Sequence, residues 1–520
     1  SVNLRVQRVW LTQSTQTAEG SVPLVESRDA FLRVFVTANP GSPVAPAVRV
    51  RFYQRGALLQ TLTIPAPGSS TPSTVVEGTL GSSWNVQVPG SVIQPNTSML
   101  VDVDPDNSIA ESNESDNSFP ASGNAQAIDV QAVLPAIVRL VPIRQTANGL
   151  LGSVGSPDQA LDLTRRMYPL GNVSTEVRQV FTVEGPLQAS NDNSEWNQVL
   201  SDLEALRIAD DATDRTYYGV VHLDYTSGIV GNGFVGAPSA LGWDNPSDMR
   251  RVIAHELGHT WGQLHTPCGT PPGVDPAYPY RSGNIGVYGY DLGNRTLKTP
   301  GQPDIMGYCD NPWVSDYTYQ GIMSYRRSHP LRAEAAGGAQ PCILVWGRIV
   351  NGQAVLEPTF QIVTRPRMPE IRGPYTIEAQ AADGSSLFHL SFDAAPGADA
   401  GQNTRFFAFA VPIDHTMAGR LGTVRLTGPG TRLAAVRQSA ELLQRGRVPD
   451  RITARRETGT VALQWNAAAH PMLIVRDPDT GEVLSFARGG NARVWTGKSA
   501  VDLEVSNGVL SHRERLAISR

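Results

Sequence analysis

Over the first 120 residues, short apolar or alternating runs are separated by loops rich in Pro, Gly and Ser. FLRVFVTA (31–38), VRVRFYQ (48–54) and MLVDVD (99–104) have the period of two, or the continuous apolar character, of strands buried on one or both faces. The pattern predicts a β-sandwich over residues 1–122. It closes with VDPDNSIAESNESDNSFP (103–120), which is too polar to pack as a core strand.

From 125 to 337 the pattern becomes mixed α/β. VRLVPIR (138–144), VSTEVRQVFTV (173–183) and YYGVVHL (217–223) read as strands, and PDQALDLTRRMY (157–168) as an amphipathic helix. In NSEWNQVLSDLEALRIA (193–209), Trp196, Val199, Leu200, Leu203 and Leu206 recur at helical spacing, which predicts a helix with one face on a sheet. GIVGNGFVGAPSALGW (228–243) is an extended run interrupted by glycines, as expected where a backbone edge lies open or meets another chain closely. Strands return after 338, with a turn at Asp383-Gly384 and two hairpins in MLIVRDPDTGEVLSFA and VDLEVSNGVLSH. A helical interruption around 433–445 divides this part into a β-sandwich at 338–432 and a C-terminal β-domain at 433–520. The expected fold class is multidomain α+β, an α/β domain flanked by β-sandwiches.

Composition sharpens this reading at a few points. A chain of 520 residues exceeds what one hydrophobic core supports, roughly 250 to 300 residues. A net charge of -5 without a basic block gives no footprint for nucleic acid. No apolar run approaches the roughly 18 residues of a membrane span, and a start at Ser1 fits a removed signal segment; the expected location is secreted or cell-surface. Three cysteines, Cys268, Cys309 and Cys342, are too few for a disulfide scaffold and leave one odd thiol.

The chemistry is concentrated in VIAHELGHTWGQLHTPCG (252–269). Ser247 followed by Asp248 is a helix-start signal. On that helix His255 and His259 differ by only about 40°, so both imidazoles face one way, a turn apart. A continued helix would carry His265 about 240° round from His259, to the wrong side. Gly262, free to take positive φ, ends the helix and turns the chain so that the third imidazole converges. Three neutral imidazoles with an open fourth position suit a catalytic Zn²⁺.

Residue by residue, His255, Glu256, His259, Gly262 and His265 match HExxHxxGxxH, and the segment resembles the metzincin zinc metallopeptidases. The resemblance implies a metzincin-like catalytic domain in which His255, His259 and His265 hold Zn²⁺ and Glu256 is general base for the attacking water. It also implies a methionine turn beneath the metal, with two candidates of form M-x-Y: DIMGYC, containing Met306, and GIMSY, containing Met323. Cys268 follows the last histidine by three residues and Cys309 follows Met306 by three, which favours Met306 and a Cys268–Cys309 bridge stabilising by roughly 3 to 4 kcal/mol. Cys268 as a fourth metal ligand is the rival. Tyr308 stands where family members carry a tyrosine that ligates zinc or stabilises the oxyanion, and Tyr325 is its counterpart at the other turn.

The resemblance further implies that an extended peptide lies along the edge formed by 228–243, making a protein or glycoprotein the expected substrate. Two other readings remain: an adhesion or binding protein with a vestigial zinc centre, and a zinc hydrolase of a non-peptide bond. No cysteine precedes 268, so no upstream cysteine caps the metal.

The ending of the first domain, a strand turning through DPDN into ESNE and DN, resembles CARDB, an immunoglobulin-like cell-adhesion-related domain of bacterial secreted proteins. Asp102, Asp104 and Asp106 with Ile109 could also open a calcium loop. Asn107 in place of Gly and Asn113 in place of a bidentate Glu favour a solvated turn over calcium.

Overall fold

The computed structural model describes residues 1–39, 42–190, 194–331, 337–399, 403–429, 434–438 and 451–520. The protein is multidomain and mostly β, with 42% strand against 13% helix. It forms two compact units, each assembled from separate stretches of chain: Ser1–Ala136 with Asp162–Ser174 and Gln263–Pro330, and Ile137–Leu161 with Thr175–Gly262 and Leu331–Arg520. Among the described residues no helix is long and apolar enough to cross a membrane.

In the first unit, the sheet of Leu4–Thr12, Ala30–Ala38 and Trp84–Val88 encloses a core with a second sheet built on Val48–Gln54, Ala57–Ile64 and Thr97–Val103. The alternation in VRVRFYQ acts as expected. Val48, Val50 and Phe52 are fully buried, while Arg49 and Arg51 reach Asp102 on the neighbouring strand at 3.1 and 2.8 Å. The polar ending turns at Asp104 and Asn107, both at positive φ, and returns to pair Ser118–Phe119 with Val101 and Asp102. The two buried aspartates proposed for calcium have other work: Asp102 accepts from Arg49, Arg51 and Ser118, and Asp104 accepts from Ser108 and from the Ile109 N–H.

The second unit is organised by a sheet running Gly231–Gly233, Ser239–Trp243, Thr216–Val221, Ala136–Gln145, Phe181–Val183, Val483–Arg488, Met472–Arg476, Ala500–Ser506 and Ser511–Ala517. Parallel pairing of Thr182 with Ser485 joins its first part to the C-terminal hairpins. Both predicted hairpins form, and Gly384, at φ +84, makes the expected turn between Tyr375–Ala381 and Ser386–Phe392. Most of the predicted 433–445 helix lies outside the described residues; within it, Ala434–Gln438 is a strand. The predicted strand 173–183 breaks into Val173–Val177 and Phe181–Val183, and the helix at 157–168 into Pro157–Ala160 and Asp162–Met167.

The helix Ser194–Ala209 forms as its spacing predicts, but both of its faces are covered. Trp196, Val199, Leu200, Leu203 and Leu206 share a core cluster with Val141, Tyr217 and Leu241 and also with Trp346, Phe406 and Phe486 of the downstream strands. Its polar side chains are buried too and therefore paired. Glu204 meets Arg207 and Arg367 at 2.8 and 2.9 Å, and Asp202 meets both guanidinium nitrogens of Arg488 at 2.8 Å.

Candidate metal centre

The helix Met249–Thr260 carries His255, Glu256 and His259, all at most 4% exposed. Asp248, not Ser247, is its N-cap, with its carboxylate bound to Arg251 at 2.6 and 2.9 Å and to the Trp243 indole at 3.1 Å. Ser247 instead bonds Asn245, whose carbonyl accepts the Met249 N–H at 2.8 Å. The helix stops at Thr260. The Gly262 N–H then bonds the His259 carbonyl at 2.9 Å with φ at +83, the break that the third histidine requires.

The Nε2 atoms of His255 and His259 stand 3.1 Å apart. Two nitrogens held about 2.0–2.1 Å from one tetrahedral zinc lie about 3.4 Å apart, so the pair is spaced as two corners of one site. His265 bonds the Pro272 carbonyl at 2.6 Å through Nδ1, which fixes the ring and leaves Nε2 as its ligand atom. One further residue joins them. Asp399, 7% exposed, places Oδ2 at 3.6 Å from His259 Nε2 and 3.9 Å from His255 Nε2. One ligand atom from each of the four lies within 4.8 Å of the others. This buried cluster of three imidazoles and a carboxylate is a donor set suited to a transition-metal ion.

The sequence pattern names three ligands and leaves a fourth position for water, and the fold adds the Asp399 carboxylate to the cluster. Nothing in the local spacing announces this residue. The one signal is its setting in APGADAG, a run of small residues that lets a backbone come close.

Glu256 packs against the strand Gly231–Gly233. A Cβ on Gly231 would sit 2.4 Å from Glu256 Oε1, and one on Gly233 would sit 3.1 Å from Oε2. The glycines of the interrupted strand are thus the seat of this carboxylate. Oε2 is buried without a hydrogen-bond partner. Burial, and after it the Asp399 carboxylate, hold the Glu256 carboxyl well above the usual range.

Met306 is fully buried in a turn that returns its carbonyl to the Thr266 N–H at 3.1 Å, one residue past His265. Asp304 builds this turn. Its Oδ1 accepts the Met306 N–H at 2.8 Å, and its Oδ2 accepts the Ser315 N–H and the Thr318 hydroxyl, each at 2.9 Å. Met323 and Tyr325 lie within the helix Asp316–Ser328 and make no turn. Cys268 and Cys309 are bonded to each other, and Cys342 is a free, buried thiol. Tyr308 is 43% exposed, its ring edge-on to His265 at 5.1 Å.

Part of the chain matches a known family. The family model CARDB matches residues 23–121, so the sandwich of the first unit carries a CARDB domain. The CARDB domain of a Pyrococcus furiosus protein, crystallised with di-metal ions, is 16% identical, with 25% of this chain and 93% of that one covered at a TM-score of 0.16. Metalloproteinase-II from Bacteroides fragilis is 11% identical, with 59% and 85% covered at 0.24. A β-glycosidase from Bacteroides vulgatus is 8% identical, with 99% and 79% covered at 0.16. TM-scores this low leave the activity of this chain to be argued from its own residues. No curated protein matches the chain.

Proposed function

We propose that the protein is a secreted zinc-dependent peptidase of the metzincin type. The observation that carries this reading is one helix bearing two imidazoles whose Nε2 atoms are 3.1 Å apart, with a buried carboxylate between them in sequence. His255, His259 and His265 would hold the ion. Zinc, when bound, supplies Lewis acidity toward a scissile carbonyl and toward an attacking water. Glu256 takes the water's proton and delivers it to the leaving amine, and a structural metal site has no need of such a group. Tyr308, exposed beside His265, would swing toward a developing oxyanion. The edge of Gly231–Gly233 favours an extended peptide over a compact non-peptide substrate. The Cys268–Cys309 bond supports an oxidising, extracytoplasmic setting.

Asp399 favours a second reading, in which four protein ligands close the centre and the ion is structural, in a binding or adhesion protein. Asp399→Ala separates the two. On the peptidase reading it carries one zinc per chain and cleaves casein, while Asp399→Ala/Glu256→Gln keeps the zinc and is slower by about 10² to 10⁴. Equal casein cleavage by both variants, or none by either with full zinc, removes the peptidase reading.

A further inference from the structure

The residues just before Asp399 occupy the edge assigned above to substrate. Val235 donates its N–H to the Pro396 carbonyl at 2.9 Å, and Ala398 donates to the Gly233 carbonyl at 2.9 Å. Phe234 and Gly397 form an antiparallel bridge between these bonds. The Asp399 N–H reaches the Asn232 side-chain oxygen at 3.3 Å. The segment 396–399 therefore lies on 232–235 as a short antiparallel strand and delivers a carboxylate to within 3.6 and 3.9 Å of the two helix imidazoles. An extended ligand on an open sheet edge uses these same backbone groups.

We infer that residues 396–399 are a built-in strap. They fill the peptide cleft as a substrate segment would and put Asp399 at the fourth ligand position, so that the chain in this state is latent and becomes active when the strap is displaced. The inference rests on the metal-hydrolase reading and adds to it the segment and the residue that block the site. A catalytic zinc keeps a position for water, whereas four protein ligands close it. With Asp399 in place, neither water nor a carbonyl has a corner to enter. The backbone pairing holds Asp399 close at high effective concentration, so a free ligand must compete with an intramolecular one.

The test uses the full-length chain loaded with Co²⁺, whose visible absorption reports the ligand set without reference to turnover, and acetohydroxamate as probe. Asp399→Asn weakens the fourth ligand with little change in shape. Ala398→Pro removes the N–H that bonds Gly233 and leaves Asp399 intact. The expected result is that both variants bind Co²⁺ as the parent does, that acetohydroxamate shifts their spectra at concentrations at least tenfold lower than for the parent, and that both cleave casein faster than the parent. Equal acetohydroxamate affinity in the parent and both variants overturns the strap. A tenfold gain in acetohydroxamate affinity with no peptide cleavage keeps the strap and removes the peptidase reading. Failure of the parent and both variants to bind Co²⁺ removes the metal centre and the strap with it.

Discussion

Gly231→Ala tests whether the glycine strand exists to seat Glu256. Gly231 is not at positive φ, so alanine brings no backbone strain there, and the whole effect comes from one methyl group. That methyl would lie 2.4 Å from Glu256 Oε1, 2.9 Å from Val252 Cγ1 and 3.0 Å from Glu256 Cδ. An unstrained carbon contact is about 3.5 Å, so the carboxylate must retreat by about 1 Å. A misplacement of about 1 Å in a reacting group costs on the order of 10² in rate, or about 2.7 kcal/mol, while overpacking lowers stability by about 1 to 3 kcal/mol. The assay is kcat/KM for a fluorogenic peptide in the Asp399→Ala background, with zinc affinity measured by chelator competition and stability by urea unfolding. Gly301→Ala, with nothing within 4 Å of the added methyl, is the control. The decisive comparison adds Glu256→Ala, which removes the group the methyl strikes. If the argument is right, Gly231→Ala then changes the residual rate by less than about twofold, because its effect on rate passes through the carboxylate, while the 2.9 Å contact with Val252 Cγ1 remains and shows in stability. A hundredfold loss persisting without the Glu256 carboxylate, or a fall in zinc affinity as large as the fall in rate, would refute it.

Other residues give sharper tests of the frame around the site. Gly262→Ala forces a side chain into φ +83, at a cost of about 1 to 2 kcal/mol, and should weaken zinc binding in chelator competition while leaving the helix signal in circular dichroism unchanged. Cys268→Ser with Cys309→Ser opens a loop with a sequence separation of 41 and should lower unfolding stability by about 4 kcal/mol, read by urea titration of the oxidised and reduced parent beside the variant. Asp210→Ala strands Arg178, 0% exposed at its side chain and bonded to both Asp210 oxygens at 2.6 and 2.9 Å; a loss of about 3 to 5 kcal/mol is expected in the same titration. Burial, and then Asp211, push the Cys342 thiol up to about 11 from 9.0. The folded state thus holds this proton more tightly, so the associated stability is present below pH 9 and is lost as pH rises from 9 toward 11. Cys342→Ala should lack this part of the alkaline slope, and the native thiol should stay unreactive to a disulfide reagent at pH 8.

What the sequence makes legible divides along physical lines. Val48–Gln54 is readable because one face is core and one is water, so the alternation survives. The helix break at Gly262 is readable because few residues but glycine adopt its φ. Ser194–Ala209 is only half readable. Its apolar spacing shows, but Asp202, Glu204 and Arg207 look like a solvated face, and the partners that allow their burial include Arg367 and Arg488, far along the chain. The two M-x-Y segments look alike until capping is weighed. Ser315 accepts the Thr318 N–H at 3.0 Å, a cap that commits Met323 to a helix, whereas Asp304 draws the backbone around Met306 into a turn. Asp399 was out of reach, since a lone acid among small residues has no period and no motif, and only the folded chain brings it to the imidazoles.

The packing that hid Asp399 from sequence reasoning is also what gives its position meaning. At the start of the strap Ala395 and Pro396 pair with Phe406 and Arg405 of the strand Thr404–Pro412. Phe406 in turn meets Phe234 of the cleft edge edge-to-face, with ring centroids 4.8 Å apart. Both rings belong to the core cluster that includes Val252 of the histidine helix and Leu203 and Leu206 of the doubly covered helix. Withdrawing the whole downstream sandwich would expose that core and the buried ion pairs of Asp202 and Glu204. Lifting 396–399 off 232–235 breaks two backbone hydrogen bonds and one to Asn232, and freeing it wholly also breaks the Gly397 N–H bond to the Thr404 carbonyl at 3.2 Å, at a net of roughly 0.5 to 1.5 kcal/mol each. The stiff sandwich therefore aims Asp399, and the short strand is the part that can yield. A site that must open for substrate needs that division between a fixed support and a weakly held plug, and a purely structural ion has no use for it.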